Sequence, residues 1–341
     1  MNIEVVRPAE LGSAAQASWQ TMQRSEPQLA NPYLAPEFAV AVGRVRRSAR
    51  VAVLTDGRRG PVAFFPFERR AAGLGRPIGA GVSRCQGLVH ASGLVLDPGT
   101  LLRGCRLQAW EYDHLTGGQG PFVTSTVRQV PSPVIRVDDG YAAYTDLLWR
   151  RAPGELRELR ARESRLAREA GDLRFVFDER APDVLDTLMR WHSARCRTVS
   201  RPDPFARPAV RALVSDLHDT RAEGCSGLVS ALYANGRLIA CTFGLRSRRV
   251  LVNRFPAYDT AFAGYSPGLL MYLMLAEGAA GRGIDRIELG RGCGEGHEEQ
   301  VKSADVLLGE GRVERGTRFA GLRAKHADAV RAVRARLGAW R

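Results

Sequence analysis

The sequence predicts an α/β protein with mixed sheets in which one order of elements is used twice. Three observations carry this. The succession strand, helix, helix, three strands, helix, strand occurs in both halves. The 341 residues, 45% hydrophobic, suffice for two domains of ordinary size. A strongly charged helical stretch stands between the halves, so the expected boundaries are 1–138, a helical linker 139–171, and 172–341.

The first half opens with a short strand at 3–6 and a helix at 9–24, where Leu11, Ala15, Trp19 and Met22 fall at helical spacing. Asn31-Pro32 breaks the chain before a second helix at 36–46 that carries Phe38, Val42 and Val45 on one side. Residues 50–55 and 61–67 flank the turn Asp56-Gly57 and read as a hairpin of buried strands. A glycine-rich stretch at 73–90 holds Arg84, Cys85 and Gln86, and a helix at 100–108 leads to strands at 109–115, 122–130 and 134–137. Pro131-Ser132-Pro133 and Asp138-Asp139-Gly140 punctuate the end of this half.

Helices follow at 141–151 and 153–171. The second carries Leu156, Leu159 and Leu166 as one narrow apolar stripe among interleaved Glu and Arg. That pattern suits a structural connector, or an arginine face for RNA. The second half then gives a strand at 173–178, helices at 182–197 and 205–223, and strands at 227–233 and 237–245. Asn235-Gly236 between these two strands suits a tight hairpin turn. A third strand at 249–255 is followed by a helix whose start, Ser266-Pro267-Gly268, combines a capping residue with proline at the first helical position. A strand at 285–289, a glycine-rich loop ending at Lys302, and a basic helix at 319–340 complete the chain.

Basic residues outnumber acidic ones 50 to 36, for a net charge of +14, and only Lys302 and Lys325 among them are lysine. The excess favours an anionic partner such as nucleic acid, a phosphorylated co-substrate or a membrane surface; it also serves solubility alone. No run of about 18 apolar residues is present and the amino terminus lacks a basic-then-apolar leader, so a cytoplasmic protein without a membrane span is expected. Six scattered cysteines form neither a metal-ligand pattern nor a disulfide framework, and no metal is expected.

The segments VAFFPFERR, GLGRPIGAGVSRCQGLVH, LRARESRLAREAGDLRF and AFAGYSPGLLMYLMLAEGAAGRGIDRIELGRG, in this order, resemble the CelD-like acetyltransferase group of tandem GNAT-type acyltransferases. That group is similar in architecture to the FemXAB aminoacyl-tRNA-dependent transferases. The resemblance implies two tandem GNAT-like domains with donor and active site chiefly in the second, and transfer of an activated acyl group to an amine. Family members close the last glycine-rich loop with an aromatic-Lys pair. Here Val301 and Lys302 stand at those positions, so the lysine is retained and the ring is not. The glycine-rich pyrophosphate signature of ordinary acetyl-CoA enzymes is replaced by Ala263-Gly264-Tyr265-Ser266-Pro267-Gly268.

Amine attack on an ester or thioester makes an oxyanion and releases a proton, so a fixed donor and a base are required. Expected catalytic residues are Lys302 for the oxyanion or donor phosphate, Asp259 as base, and Tyr258 as proton donor to the leaving group. Asp259 is ranked above Glu295 and Glu298, and packing is the alternative role for Tyr258. Expected donor contacts are Arg254, Tyr265, Ser266, Gly268 and Arg291; expected acceptor contacts are Arg84, Gln86, Trp191, His192 and Arg195. For His192 a packed ring and a functional one are both consistent with its spacing, and solvated arginine is the alternative for Arg254 and Arg291. No tightly bound cofactor is expected. The co-substrate is aminoacyl-tRNA, with transfer to a small or peptide-like amine, or acyl-CoA. A third reading, a nucleic-acid-binding protein without catalysis, fits the charge.

Overall fold

The computed structural model describes residues 1–57, 60–290 and 297–315. The strands are β1 (Asn2–Val6), β2 (Ala49–Thr55), β3 (Pro61–Arg69), β4 (Leu74–Pro77), β5 (Val89–His90), β6 (Ala109–Leu115), β7 (Thr126–Arg136), β8 (Leu173–Val176), β9 (Ser226–Ala234), β10 (Arg237–Arg246), β11 (Val250–Tyr258), β12 (Arg286–Glu288) and β13 (Ala304–Glu314). The helices are α1 (Ser13–Ser25), α2 (Pro36–Val45), α3 (Pro98–Gly104), α4 (Gly140–Arg151), α5 (Pro153–Ala170), α6 (Pro182–Thr198), α7 (Pro208–Asp219), α8 (Pro267–Ala280) and α9 (His297–Val301). The predicted order strand, two helices, three strands, helix, strand occurs twice, each time followed by one further strand, with β5 and α9 as local additions.

All these strands form one sheet, in the order β1-β2-β3-β4-β6-β13-β7-β12-β11-β10-β9-β8, with β5 on β3. The final strands of the halves are exchanged. β13, at the end of the second half, lies between β6 and β7 of the first, and β7 pairs with β12 of the second. Sequence reasoning did not find β13. It also placed Pro131-Ser132-Pro133 as a break, whereas β7 runs straight through it. The Pro133 carbonyl accepts from Leu289 on the β12 side, so the N–H that Pro133 lacks would have pointed there, away from β13. Pro131, two residues earlier, is oriented alike and lies beyond the end of three-residue β12.

Helix ends follow local chemistry. Asp97 caps α3 by accepting from the Thr100 N–H, which starts that helix at Pro98 and not at residue 100. Asp203 caps a short 3₁₀ turn, Pro204–Ala206, so α7 begins only at Pro208. The leucine stripe of α5 is its buried side, as its spacing requires.

One continuous core joins the halves across a face of the sheet: Phe38, Val42 and Phe64 from the first pack in one cluster with Leu213, Val229, Phe243 and Phe255 from the second. On the other face α4, α5 and α8 cover the second half, and α3 lies over Leu54, Phe65 and Trp110. A polar tie also crosses between the halves. Glu288, buried in β12, accepts from the Asn31 amide at 2.8 Å and from Arg286 at 3.0 Å. The five described cysteines are buried unpaired thiols, and burial pushes Cys105 and Cys241 up to about 12. Among the described residues no helix is long and apolar enough to cross a membrane.

Removing one partner of a buried charge leaves part of its desolvation uncompensated, at about 1–3 kcal/mol. Asn31→Ala is therefore expected to destabilise the chain by that amount, read as a lower urea midpoint at unchanged m-value. An unchanged midpoint would mean that Arg286 alone satisfies Glu288.

Candidate functional site

β11 and β12 run parallel and pair only over Val250–Val252 and Arg286–Glu288. β11 then continues to Tyr258 with β10 as its neighbour, and among the described residues no strand pairs its other edge. The sheet forks there. At the mouth of the fork β11 carries a bulge: Phe243 pairs Phe255, but Gly244 pairs Asn253, leaving Arg254 as the extra residue. A side chain at Gly244 would put its Cβ 2.5 Å from the Val252 carbonyl oxygen, so only glycine permits this approach. The bulge shifts the alternation, so that Val252, Phe255 and Ala257 all enter the core shared by the halves.

The first half has the equivalent fork, and it is filled. β4 and β6 pair over two residues and diverge. Gln86 then takes the place of a strand: its N–H donates to the His114 carbonyl at 2.9 Å and its carbonyl accepts from Thr116 at 3.0 Å. Its side-chain oxygen accepts from the N–H groups of Asp113 and His114, and its amide donates to Asp113 at 2.6 Å. Gln86, expected to contact acceptor, is thus buried and fully engaged in closing the first fork. Arg84 lies 3.4 Å from the His114 ring in the same loop.

That loop leans on the second fork. Arg254 donates through Nε to the Val82 carbonyl at 3.1 Å and through Nη2 to Gly81 at 3.0 Å, and its guanidinium lies over Phe255. Arg254, expected to bind donor phosphate, here ties the two halves.

Two α6 side chains meet the forked part of β11. His192 Nδ1 lies 3.3 Å from the Pro256 carbonyl, and the ring stands edge-on to Phe205 and Phe255. A carbonyl only accepts, so Nδ1 carries the hydrogen and Nε2 of the neutral ring keeps its lone pair. Arg195 donates to the Tyr258 hydroxyl at 3.0 Å, which leaves the phenolic hydrogen available for donation. Trp191, one residue before His192, is partly buried against the shared core. Asp259 is occupied otherwise: Oδ1 caps the 3₁₀ turn Thr260–Tyr265 by accepting from Ala261, and Oδ2 pairs with Arg237 at 2.6 Å. With both oxygens committed, its expected role as base loses support.

The start of α8 corrects another expectation. Ser266 adopts a left-handed conformation (φ 52°, ψ 54°) and makes no side-chain cap. Its hydroxyl accepts instead from Arg162 of α5. Arg165 donates to the Gly264 carbonyl and lies over the Tyr265 ring, whose hydroxyl donates to Glu169. α5 therefore clamps the loop that presents the helix end. Among the described residues none accepts from the Gly268 N–H, and a Cβ built on Gly268 meets nothing within 4 Å.

Between this helix end and β11 is a narrow cleft lined by Gly268, Pro256, Tyr258 and the buried pair Thr242–Asn253. Thr242 donates to Asn253 Oδ1, so the Asn253 amide hydrogens are its remaining polar group. Sequence reasoning missed Asn253, although a lone amide inside the apolar run VLVNRF was the available signal. It missed Thr242, Arg162, Arg165 and Glu169 as well, because only the fold brings α5 and β10 to this place.

Lys302 follows α9, where Arg151 holds the carbonyls of Glu299, Gln300 and Lys302 and the Tyr144 hydroxyl donates to Val301. Its ammonium pairs with Asp305 at 2.7 Å and Glu299 at 2.8 Å, and those hydrogen bonds raise its pKa. Its charge is thereby matched within its own segment. Arg291, Glu295 and the expected helix at 319–340 lie outside the described residues.

Burial holds the His192 pKa below its ordinary 6.5. Above pH 6.5 folded and unfolded rings are both neutral; below it the unfolded chain takes up a proton that the folded ring resists, so stability falls with pH. Replacing His192 with Phe is expected to flatten the stability–pH curve just below pH 6.5, measured by urea titration from pH 7 to pH 5.5. An unchanged slope would show that the ring titrates normally.

Residues 155–299, which include the fork and α8, match the family model described as acetyltransferase (GNAT) domain. A search of the curated proteins gives no match. Among solved structures the chain is similar to FemX, at 10% identity and TM-score 0.61, covering 92% of this chain and 97% of that one. It is similar to L-PGS from Bacillus licheniformis, at 10% identity and TM-score 0.54, covering 90% and 94%. A tandem GNAT protein from the clavulanic acid biosynthesis pathway aligns at 12% identity and TM-score 0.48, covering 93% and 99%. At such identities the likeness to FemX and L-PGS is one of fold. Residues 155–299 thus carry an acetyltransferase (GNAT) domain, and the first half repeats the same order of elements.

Proposed function

We propose that the chain forms an amide at the second fork, moving an aminoacyl group from aminoacyl-tRNA to a small or peptide-like amine. The observation that carries this reading is the asymmetry of the forks: the first is filled by the chain's own Gln86, and among the described residues the second leaves the edge of β11 beyond its bulge without a strand partner. In this reading the donor ester lies along that edge beside the Gly268 N–H, where the positive end of α8 favours a phosphate or a developing oxyanion. The Asn253 amide supplies a second donor to the oxyanion.

The acceptor amine attacks the carbonyl carbon. The N–C bond forms, and the amine proton passes to His192 Nε2. Collapse of the intermediate breaks the C–O bond, and the leaving ribose oxygen takes the Tyr258 proton, which the imidazolium restores through solvent. Arg195 holds the phenol in place throughout. Lys302 belongs to the donor side, as a cation that exchanges Asp305 or Glu299 for a donor phosphate. Tyr265 and Ser266 act by shaping the loop, and Arg84 and Trp191 border the acceptor. The basic excess and the arginines of α5 beside the loop support a polyanionic donor. The family match favours a second reading, in which acyl-CoA supplies a thioester to the same fork.

Purified protein incubated with charged tRNA or acyl-CoA, with and without RNase, separates the two. RNase-sensitive amide product is expected; RNase-resistant, thioester-dependent product would replace the first reading by the second. In the active assay, His192→Gln and Asn253→Ala are each expected to lower kcat about 100-fold. Gly268→Ala and Lys302→Met are expected to raise donor KM at unchanged melting temperature. A Lys302→Met enzyme with wild-type KM would remove that lysine from the site.

A further inference from the structure

At the opposite ends of β11 and β12 from the fork is a second cavity, of about 580 Å³. Arg249, just before β11, borders it, and roughly 30 Å of strand separates that residue from Tyr258, so a molecule held here does not reach the reacting carbonyl. One wall is the last turns of α1 and the other is the turn between β10 and β11 with the start of β12, so both halves contribute.

The walls carry four guanidinium groups, from Arg24, Arg248, Arg249 and Arg286, against two carboxylates. Those two acids are already matched: Asp285 pairs with Arg249 at 2.5 Å and Glu223 with Arg248 at 3.4 Å. Arg286 is held from behind by Glu288, and among the described residues no carboxylate pairs with Arg24. Three of the four guanidinium groups thus already face a carboxylate, and among the described residues Arg24 alone does not. The amides opposite are fixed in one direction. Gln20 donates its amide hydrogen to Glu37 at 2.6 Å and the buried Gln23 donates to the Asn31 carbonyl at 3.0 Å, which leaves both side-chain oxygens to accept.

A complementary ligand has an anionic end that several guanidinium groups can share and hydroxyl donors at the other. We propose that this cavity binds a small phosphate monoester of the sugar-phosphate type. The phosphate sits among Arg24, Arg248 and Arg286, where guanidinium geometry suits it, and the hydroxyls face Gln20 and Gln23. The volume lies within the usual range of about 300–1,000 Å³ for small-molecule sites. Nothing in this proposal depends on the acyl donor.

Ribose 5-phosphate is the probe, and the melting temperature of the full chain the first readout. A saturable rise is expected, because a ligand that binds only the folded state stabilises it. The double variant Arg24→Gln/Arg248→Gln, at two exposed positions outside the fork, is expected to weaken binding about tenfold or more by isothermal titration. Inorganic phosphate is expected to bind more weakly and free ribose not at all. Gly268→Ala is expected to leave ribose 5-phosphate binding unchanged. No shift at millimolar ribose 5-phosphate, equal affinity in the double variant, phosphate binding as tightly as its ester, or loss of binding in Gly268→Ala would each overturn the proposal.

Discussion

The exchange of terminal strands governs this molecule. Because β13 lies between β6 and β7, and β7 continues to β12, every strand at the centre of the sheet has a neighbour from the other half. Backbone groups in a sheet interior must be paired, so neither half can satisfy its central strands without the other. The common core and the Asn31–Glu288 bond reinforce a union that the backbone ladder already requires.

From that union follows the difference between two forks of common design. Each arises where a parallel pair diverges after two or three residues. The first is closed by a glutamine that uses its main chain and side chain as a substitute strand. In the second, among the described residues no strand pairs the edge of β11 beyond its bulge, and a helix end whose approach is clamped from α5 frames the gap. The closed fork still contributes, because its loop gives the carbonyls of Gly81 and Val82 to Arg254 at the mouth of the open one. The first half thus braces the open fork of the second.

Much of this was legible in the residues, and the gaps have physical causes. The repeated element order, the α5 leucine stripe and the breaks at Asn235-Gly236 and Ser266-Pro267 depend on neighbours in the chain, and local sequence states them. β13 escaped notice because ADVLLGEGRVE has no clean alternation: its partners lie on both sides and its ends are covered differently. Pro131 and Pro133 misled for a related reason, since proline is tolerated when the missing N–H points away from a ladder. Ser266 has the composition of a cap, but a left-handed backbone and a competing arginine turn its hydroxyl elsewhere. Asp259 was placed correctly at the end of β11, and its two oxygens were then taken by a turn and by Arg237.

By itself the sequence determined most of the secondary elements, the order they repeat, the charge balance and the loop in which a helix end would be presented, because each depends on contacts only a few residues apart. The tertiary structure decided which fork stays open, which strand fills the centre of the sheet, and which of many arginines, acids and hydroxyls meet. Those outcomes rest on pairings such as Asn31 with Glu288 or Arg254 with Gly81, made between segments whose separation along the chain carries no local signal.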